Sequence, residues 1–181
     1  MTDPTVLRET DDLPTLLAHL KGVDMTSLLE QADPADLRRL TTSISTPGEL
    51  RDLLALAGDD ATITAFIAKG GVEAMLDQVF GLMPTRLLPE KIGADGGTVE
   101  WHIGTPDGEK TYHLTIADGT ATGTRGAADR ARTTLTMSAP DLLRLCAGTL
   151  DGVAAFMTQK IKLSGDMLFG AKLASAFDTT A

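Results

Sequence analysis

The chain predicts an α+β fold in two layers, a sheet with helices gathered on its apolar side, preceded by an all-helical segment. Three features carry that expectation. Apolar residues recur at helical spacing up to about Met83, then at a period of two between Val99 and Met137. The alternating stretches keep one face apolar and one polar, as in a sheet that is wet on one side. Finally, Phe156–Phe177 (FMTQKIKLSGDMLFGAKLASAF) holds a short strand, a helix cap and a helix whose only charge is Lys172. Such a helix is expected to be buried on most faces, inside a core or in the wall of an apolar cavity.

Residues 1–70 read as helices separated by short breaks. Leu13, Leu16, Leu17 and Leu20 share one helical face. Asp33 caps the next helix and Pro34 takes its first position, where a missing N–H is harmless. Thr46-Pro47-Gly48-Glu49 has capping-box spacing ahead of Leu50, Leu53 and Leu54. Asp59 or Asp60 opens a helix through Ile63, Phe66 and Ile67, which Gly70-Gly71 stops. One more helix runs from Val72 to about Met83.

Strand pattern follows. Val99, Trp101 and Ile103 alternate with Glu100 and His102; Tyr112, Leu114 and Ile116 alternate with Thr111, His113 and Thr115. Asp107-Gly108 between them predicts a hairpin, and Asp118-Gly119 a second turn into Thr120–Arg125. A loop, GAADRAR, leads to Thr133–Ser138. Ser138-Ala139-Pro140-Asp141 starts a helix that Gly148 ends, a short helix spans Asp151 to Thr158, and Ile161 and Leu163 mark a last strand. Asp166 caps the closing helix. The long return from the fourth strand to the fifth suits a crossover connection.

Composition narrows the function. The 181 residues are 43% hydrophobic, enough for a globular core, but only 4% aromatic, so a pocket would be mostly aliphatic and thioether-lined. Net charge is −9, with twelve acidic against six basic residues in 1–70. An acidic surface repels phosphate backbones, so no nucleic-acid partner is expected. It also argues against stable membrane association, which needs basic clusters. A lone Cys146 excludes an internal disulfide, and with no signal-peptide pattern at the N-terminus a cytoplasmic location is expected. There is no G-x-S-x-G elbow, H-E-x-x-H or P-loop, so neither an enzyme nor a cofactor is expected. Inside a cavity, Tyr112 and Cys146 are the only polar candidates for chemistry. His102, His113 and Glu100 fall on the polar sheet face and read as solvated residues before a metal site.

Residues 72–178 resemble the sterol carrier protein 2 family. The resemblance rests on a leucine-rich helix, a Gly-x-Leu-Asp turn at Gly148, Leu150 and Asp151, the helix Ala155 to Met157, the strand around Lys160 and Lys162, Gly165-Asp166, and Lys172-Leu173 in the final apolar helix. Gln159 stands where the family often has glycine. The resemblance implies a twisted five-stranded sheet backed by helices on one face, with an apolar tunnel between the layers. It implies binding of fatty acids, acyl thioesters, sterols or similar lipids, with no catalytic mechanism. A division follows, with residues 1–70 as a helical N-terminal segment and 71–181 as the lipid-binding domain.

On that reading the ligand-binding residues are Trp101, Ile103, Tyr112, Leu114, Leu135 and Met137 from the sheet. The helical walls add Leu142, Leu145, Phe156, Met157, Met167, Leu168, Phe169, Leu173 and Phe177. Five of the seven methionines (Met75, Met83, Met137, Met157, Met167) follow residue 70, and such side chains adapt to varied guests. Gly170 interrupts the closing helix, either to make room for a ligand or for close helix packing. Arg125, Arg130 and Arg132 of the loop could meet an anionic headgroup. The competing reading is a structural or interaction module with a solid core, whose residues 1–70 recruit a protein partner or self-associate.

Overall fold

The computed structural model describes residues 3–179. A 3₁₀ turn, Pro4–Arg8, comes first and six α-helices follow: α1 (Leu13–His19), α2 (Met25–Gln31), α3 (Pro34–Ser43), α4 (Pro47–Ala57), α5 (Asp60–Gly70) and α6 (Val72–Leu82). A 3₁₀ turn, Met83–Arg86, and the short α7 (Pro89–Ile92) lead to β1 (Gly97–Thr105), β2 (Gly108–Ala117), β3 (Thr120–Arg125) and β4 (Thr133–Ser138). Then come α8 (Ala139–Ala147), α9 (Gly152–Met157), β5 (Lys162–Gly165) and α10 (Met167–Ala174).

The predicted caps form. Asp33, Asp59 and Asp166 each accept a backbone N–H of the first turn. Thr46 and Glu49 close a full capping box, with both bonds at 3.1 Å. Ser138 makes only its own half, accepting from the Asp141 N–H, because an aspartate is shorter than the glutamate that normally reaches back. Helix α2, which no distinct apolar stripe announced, is capped by Asp24 and buries Met25, Leu28 and Leu29.

The five strands lie in the order β3-β2-β1-β4-β5. The crossover expectation is corrected. The parallel pair is β1 with β4, whereas β4 and β5 run antiparallel. Thr136, near the end of β4, pairs with Lys162 at the start of β5. The two helices between them therefore return the chain to the end of the sheet that it left.

One face of the sheet is buried through Val99, Trp101, Ile103, Tyr112, Leu114, Ile116, Leu135 and Met137. Buried apolar residues form one continuous cluster from Leu7 to Ala176, so the N-terminal helices share the core of the sheet layer. Two glycines set how closely helices approach the sheet. A Cβ at Gly123 of β3 would stand 2.5 Å from the Phe80 carbonyl oxygen of α6, and one at Gly170 of α10 would collide with the Leu163 side chain of β5. Gly170 is thus explained by close packing.

The closing helix departs from expectation. Phe169, Gly170 and Leu173 are buried, but Met167 is 48% and Leu168 84% exposed. Helix α10 packs on β4 and the edge strand β5, and among the described residues no further layer covers its outer face.

Gln159 has φ +63°, the left-handed region that glycine adopts freely. It ends α9 in a Schellman motif, with the Gln159 N–H bonded to the Phe156 carbonyl and the Lys160 N–H to the Ala155 carbonyl. Gln159→Gly should therefore raise the unfolding free energy by about 0.5 kcal/mol, because relief of left-handed strain exceeds the added chain entropy. Gln159→Val should lower it by about 1 kcal/mol. Urea titration of both variants checks the pair of signs.

Candidate functional site

A cavity of about 580 Å³ opens between the sheet and its helices, well within the range of small-molecule sites. Trp101, Leu135 and Leu163 form its floor. Met75 and Val79 of α6, Leu145 and Cys146 of α8, Val153 and Phe156 of α9, and Met167 and Leu173 of α10 form the walls, with Phe177 after α10. The sheet supplies these positions because every second residue of β1 and β4 points into the same layer.

One end of the cavity is polar, and the N-terminal helices build it. The link from α3 into α4, Ile44 to Pro47, lines this end together with Leu50, Gln78, Arg86 and Asp178. Gln78 donates its amide to the Ile44 carbonyl, and Arg86 donates to the Ser45 carbonyl at 3.1 Å. Arg51 of α4 holds the same end from outside. Its Nε donates to the Ala147 carbonyl (3.0 Å) at the end of α8 and its Nη2 to the Thr179 carbonyl (2.8 Å). A cation there also meets the negative end of the α8 dipole.

Of the residues expected from sequence to bind ligand, Trp101, Leu135, Leu145, Phe156, Met167, Leu173 and Phe177 line the cavity. Ile103, Tyr112, Leu114, Met137, Leu142 and Phe169 lie in packed core instead. Tyr112 is covered by α6: the Phe80 ring stacks on it at 4.5 Å and meets Trp101 edge-on at 5.7 Å. Met157, 77% exposed, and Leu168 lie outside the cavity wall and face outward. Sequence reasoning missed the polar end altogether. Thr46 and Glu49 announced only a cap, and Arg86 sits in a turn with no periodicity to mark its direction.

The polar candidates have other duties. The Tyr112 hydroxyl donates to Asp77 at 2.7 Å, and burial, then this partner, drive its pKa upward. Asp77 and Glu73 also take Arg125. Arg132 donates to Asp95 and Asp166, holds Asp95 down at about 2, and stacks 4.2 Å over the Phe169 ring, so it orients the start of α10. Arg130 is exposed, and none of the three arginines lines the cavity. Cys146 does. Its apolar surroundings push the thiol up to about 12, so it stays protonated and a weak nucleophile at neutral pH. Among the described residues the Trp101 indole N–H is buried without a hydrogen-bond partner, so it carries the cost of a desolvated donor that nothing offsets. Among the described residues no group of three His, Cys, Asp or Glu could hold a metal ion. None of their helices is long and apolar enough to cross a membrane.

The sequence profile of the SCP-2 sterol transfer family matches residues 76–178. The chain belongs to that family, whose members bind and transfer lipids and sterols. No curated protein sequence matches it. Among solved structures, the stereoselective inverting sec-alkylsulfatase Pisa1 from Pseudomonas sp. is similar over 100% of this chain, at 18% identity and a TM-score of 0.52. This chain spans 33% of the length of that protein. Sterol Carrier Protein 2 Like 2 from Aedes aegypti is 24% identical over 59% of this chain and 95% of its own, with a TM-score of 0.48. Sterol Carrier Protein 2 from Yarrowia lipolytica is 20% identical over 49% of this chain and 71% of its own, with a TM-score of 0.42.

On the opposite, wet face of the sheet, His102 is clamped by two carboxylates, Glu109 at Nδ1 (2.8 Å) and Glu100 at Nε2 (2.6 Å). Glu100 also accepts the Ala128 N–H of the 126–132 loop. Both ring nitrogens must donate, so the imidazolium is favoured and its pKa lies above the ordinary 6.5, chiefly through Glu109 and then Glu100. A raised folded pKa gives stability that is fully present below pH 6.5 and is lost as pH rises through the folded value. His102→Gln should cost about 0.5–1 kcal/mol at pH 6 and clearly less at pH 9. Denaturant midpoints of both proteins at the two pH values check the sign.

Proposed function

We propose that the cavity takes an apolar ligand such as a fatty acid, an acyl thioester or a sterol, and that the protein sequesters or carries it. One observation supports this above the rest: a cavity of about 580 Å³ with an apolar floor lies between the layers of a member of a lipid-binding family. Its walls include Met75 and Met167, whose flexible side chains tolerate varied shapes. A guest hiding ~400 Å² of apolar surface gains on the order of 10 kcal/mol gross, and lost translational and rotational freedom offsets much of it. Micromolar affinity that grows with chain length is the expected result.

Binding needs no covalent step. Cys146 is a neutral thiol and Tyr112 stands outside the cavity with its hydroxyl committed to Asp77. The module reading with a solid core fits less well, because residues of α4 and the link before it wall a hollow.

Leu145→Trp, a partly exposed wall position, should weaken binding of a fluorescent long-chain fatty acid roughly tenfold, since lost apolar contact of this size is worth a few kcal/mol before relaxation. The melting curve of the variant should stay close to that of the parent. Fluorescence titration reads the affinity. Unchanged affinity in the folded variant, or no uptake by the parent, contradicts the proposal.

A further inference from the structure

Trp101 is the chain's single tryptophan and stands in the cavity floor. It is 3% exposed, and among the described residues its indole N–H is the one buried side-chain polar group without a hydrogen-bond partner. Buried donors are nearly always paired, because an unpaired one loses its hydration and gains nothing in return.

The surroundings explain why the protein supplies no acceptor. Trp101 stands in one row across the sheet with Tyr112 on β2, Leu135 on β4 and Leu163 on β5. The two leucines carry no acceptor, and the Tyr112 hydroxyl is turned to Asp77 at 2.7 Å. The Phe80 ring of α6 meets the indole edge-on at 5.7 Å. Strand β1 lies between β2 and β4, so the carbonyls beside Trp101 are spent in the sheet ladder. A water in this apolar row would lack the several polar partners that hold a buried water in place. Other polar side chains of the lining already donate to the backbone: Gln78 to the Thr42 and Ile44 carbonyls, Arg86 to the Ser45 carbonyl and Thr149 to the Arg144 carbonyl. Trp101 does not.

We propose that the missing acceptor belongs to the guest: Trp101 donates to a carbonyl or hydroxyl oxygen carried along an otherwise apolar ligand. The ring lies in the floor and its second side-chain torsion is soft, so the indole edge can swing against a guest lying along Leu135 and Leu163. A saturated chain whose oxygens stay at its head leaves the donor unpaired, whereas an oxygen part-way along the chain satisfies it. Trp101 is thereby a specificity-determining residue that favours oxygenated lipids. The inference rests on the apolar-ligand reading of the cavity, so its test reads uptake and oxygen preference separately.

The test compares octadecanoic acid with a set of oxo-octadecanoic acids that carry the ketone at successive chain positions. The full chain, isotope-labelled, gives a single indole N–H resonance because it has a single tryptophan. For at least one ketone position that resonance should move downfield and its hydrogen exchange should slow, with affinity roughly five- to tenfold above that for octadecanoic acid. Octadecanoic acid should bind without the downfield move. Trp101→Phe keeps an aromatic floor and removes the donor. Its readout is the ratio of oxo-acid to plain-acid affinity, which should fall to about one. The indole readings come from the parent and hold whether or not that variant folds. An indole resonance at one position with every acid, equal affinity of the parent for all of them, or a ketone preference that survives Trp101→Phe overturns the proposal. No uptake of any acid, octadecanoic acid included, instead overturns the reading of the cavity itself and this proposal with it.

Discussion

The fold depends on how close the helix layer can come to the sheet, and glycine fixes that at the two edge strands. On β3, Gly123 lets the backbone of α6 approach until a Cβ would strike the Phe80 carbonyl. On β5, Leu163 occupies the space that a side chain at Gly170 of α10 would need. Both contacts lie at opposite ends of the strand order. Over β1 and β4, between them, the floor residues Trp101 and Leu135 and the walls from α6, α8 and α10 stay apart far enough to leave the cavity. Close-packed interiors rarely keep such a gap, because each missing neighbour forfeits dispersion energy. A gap that is held open by well-packed edges suits a site that a guest fills.

The N-terminal helices complete the hollow as well as adding core. They share its single buried cluster, and the link from α3 to α4 supplies the polar end of the cavity. Arg51 joins α4 to the last turn of α8 and to the chain after α10. The lining of the cavity is thereby mixed, with Arg86 and Gln78 beside the α3–α4 link and Val153, Phe156 and Met167 contributed by α9 and α10. Of the three arginines that looked suited to a headgroup from sequence, Arg125 and Arg132 are instead tied into ion pairs that brace α6 and α10, and Arg130 is exposed away from the cavity.

Local chemistry made much of this legible. Aspartate and threonine caps announced helix starts because their side chains satisfy specific orphan N–H groups within three residues. Alternation announced β1, β2 and β4 because the pleat sends every second side chain inward. Of the seven cavity-lining residues among those expected, Trp101 and Leu135 came from that rule, and Leu145, Phe156, Met167, Leu173 and Phe177 came from the helical walls that the family resemblance implied. What stayed hidden was set by distant parts of the chain. Periodicity shows that Ile103, Tyr112 and Leu114 point inward, but not that α6 and α8 cover them while Trp101 and Leu135 remain uncovered. The strand order, with β4 beside β1, is likewise decided by long-range pairing. The apolar sequence of α10 implied burial on most faces, yet among the described residues no element covers Leu168.

The most direct test of the hollow is an isotope-filtered nuclear Overhauser experiment on the protein with a labelled long-chain fatty acid. The account predicts cross-peaks from the ligand's methylenes to the Trp101 ring and to the Leu135 and Leu163 methyl groups, with the shifts of Leu114 and Ile116 little changed. Saturation with the fatty acid without any contact to Trp101, Leu135 or Leu163 would contradict it.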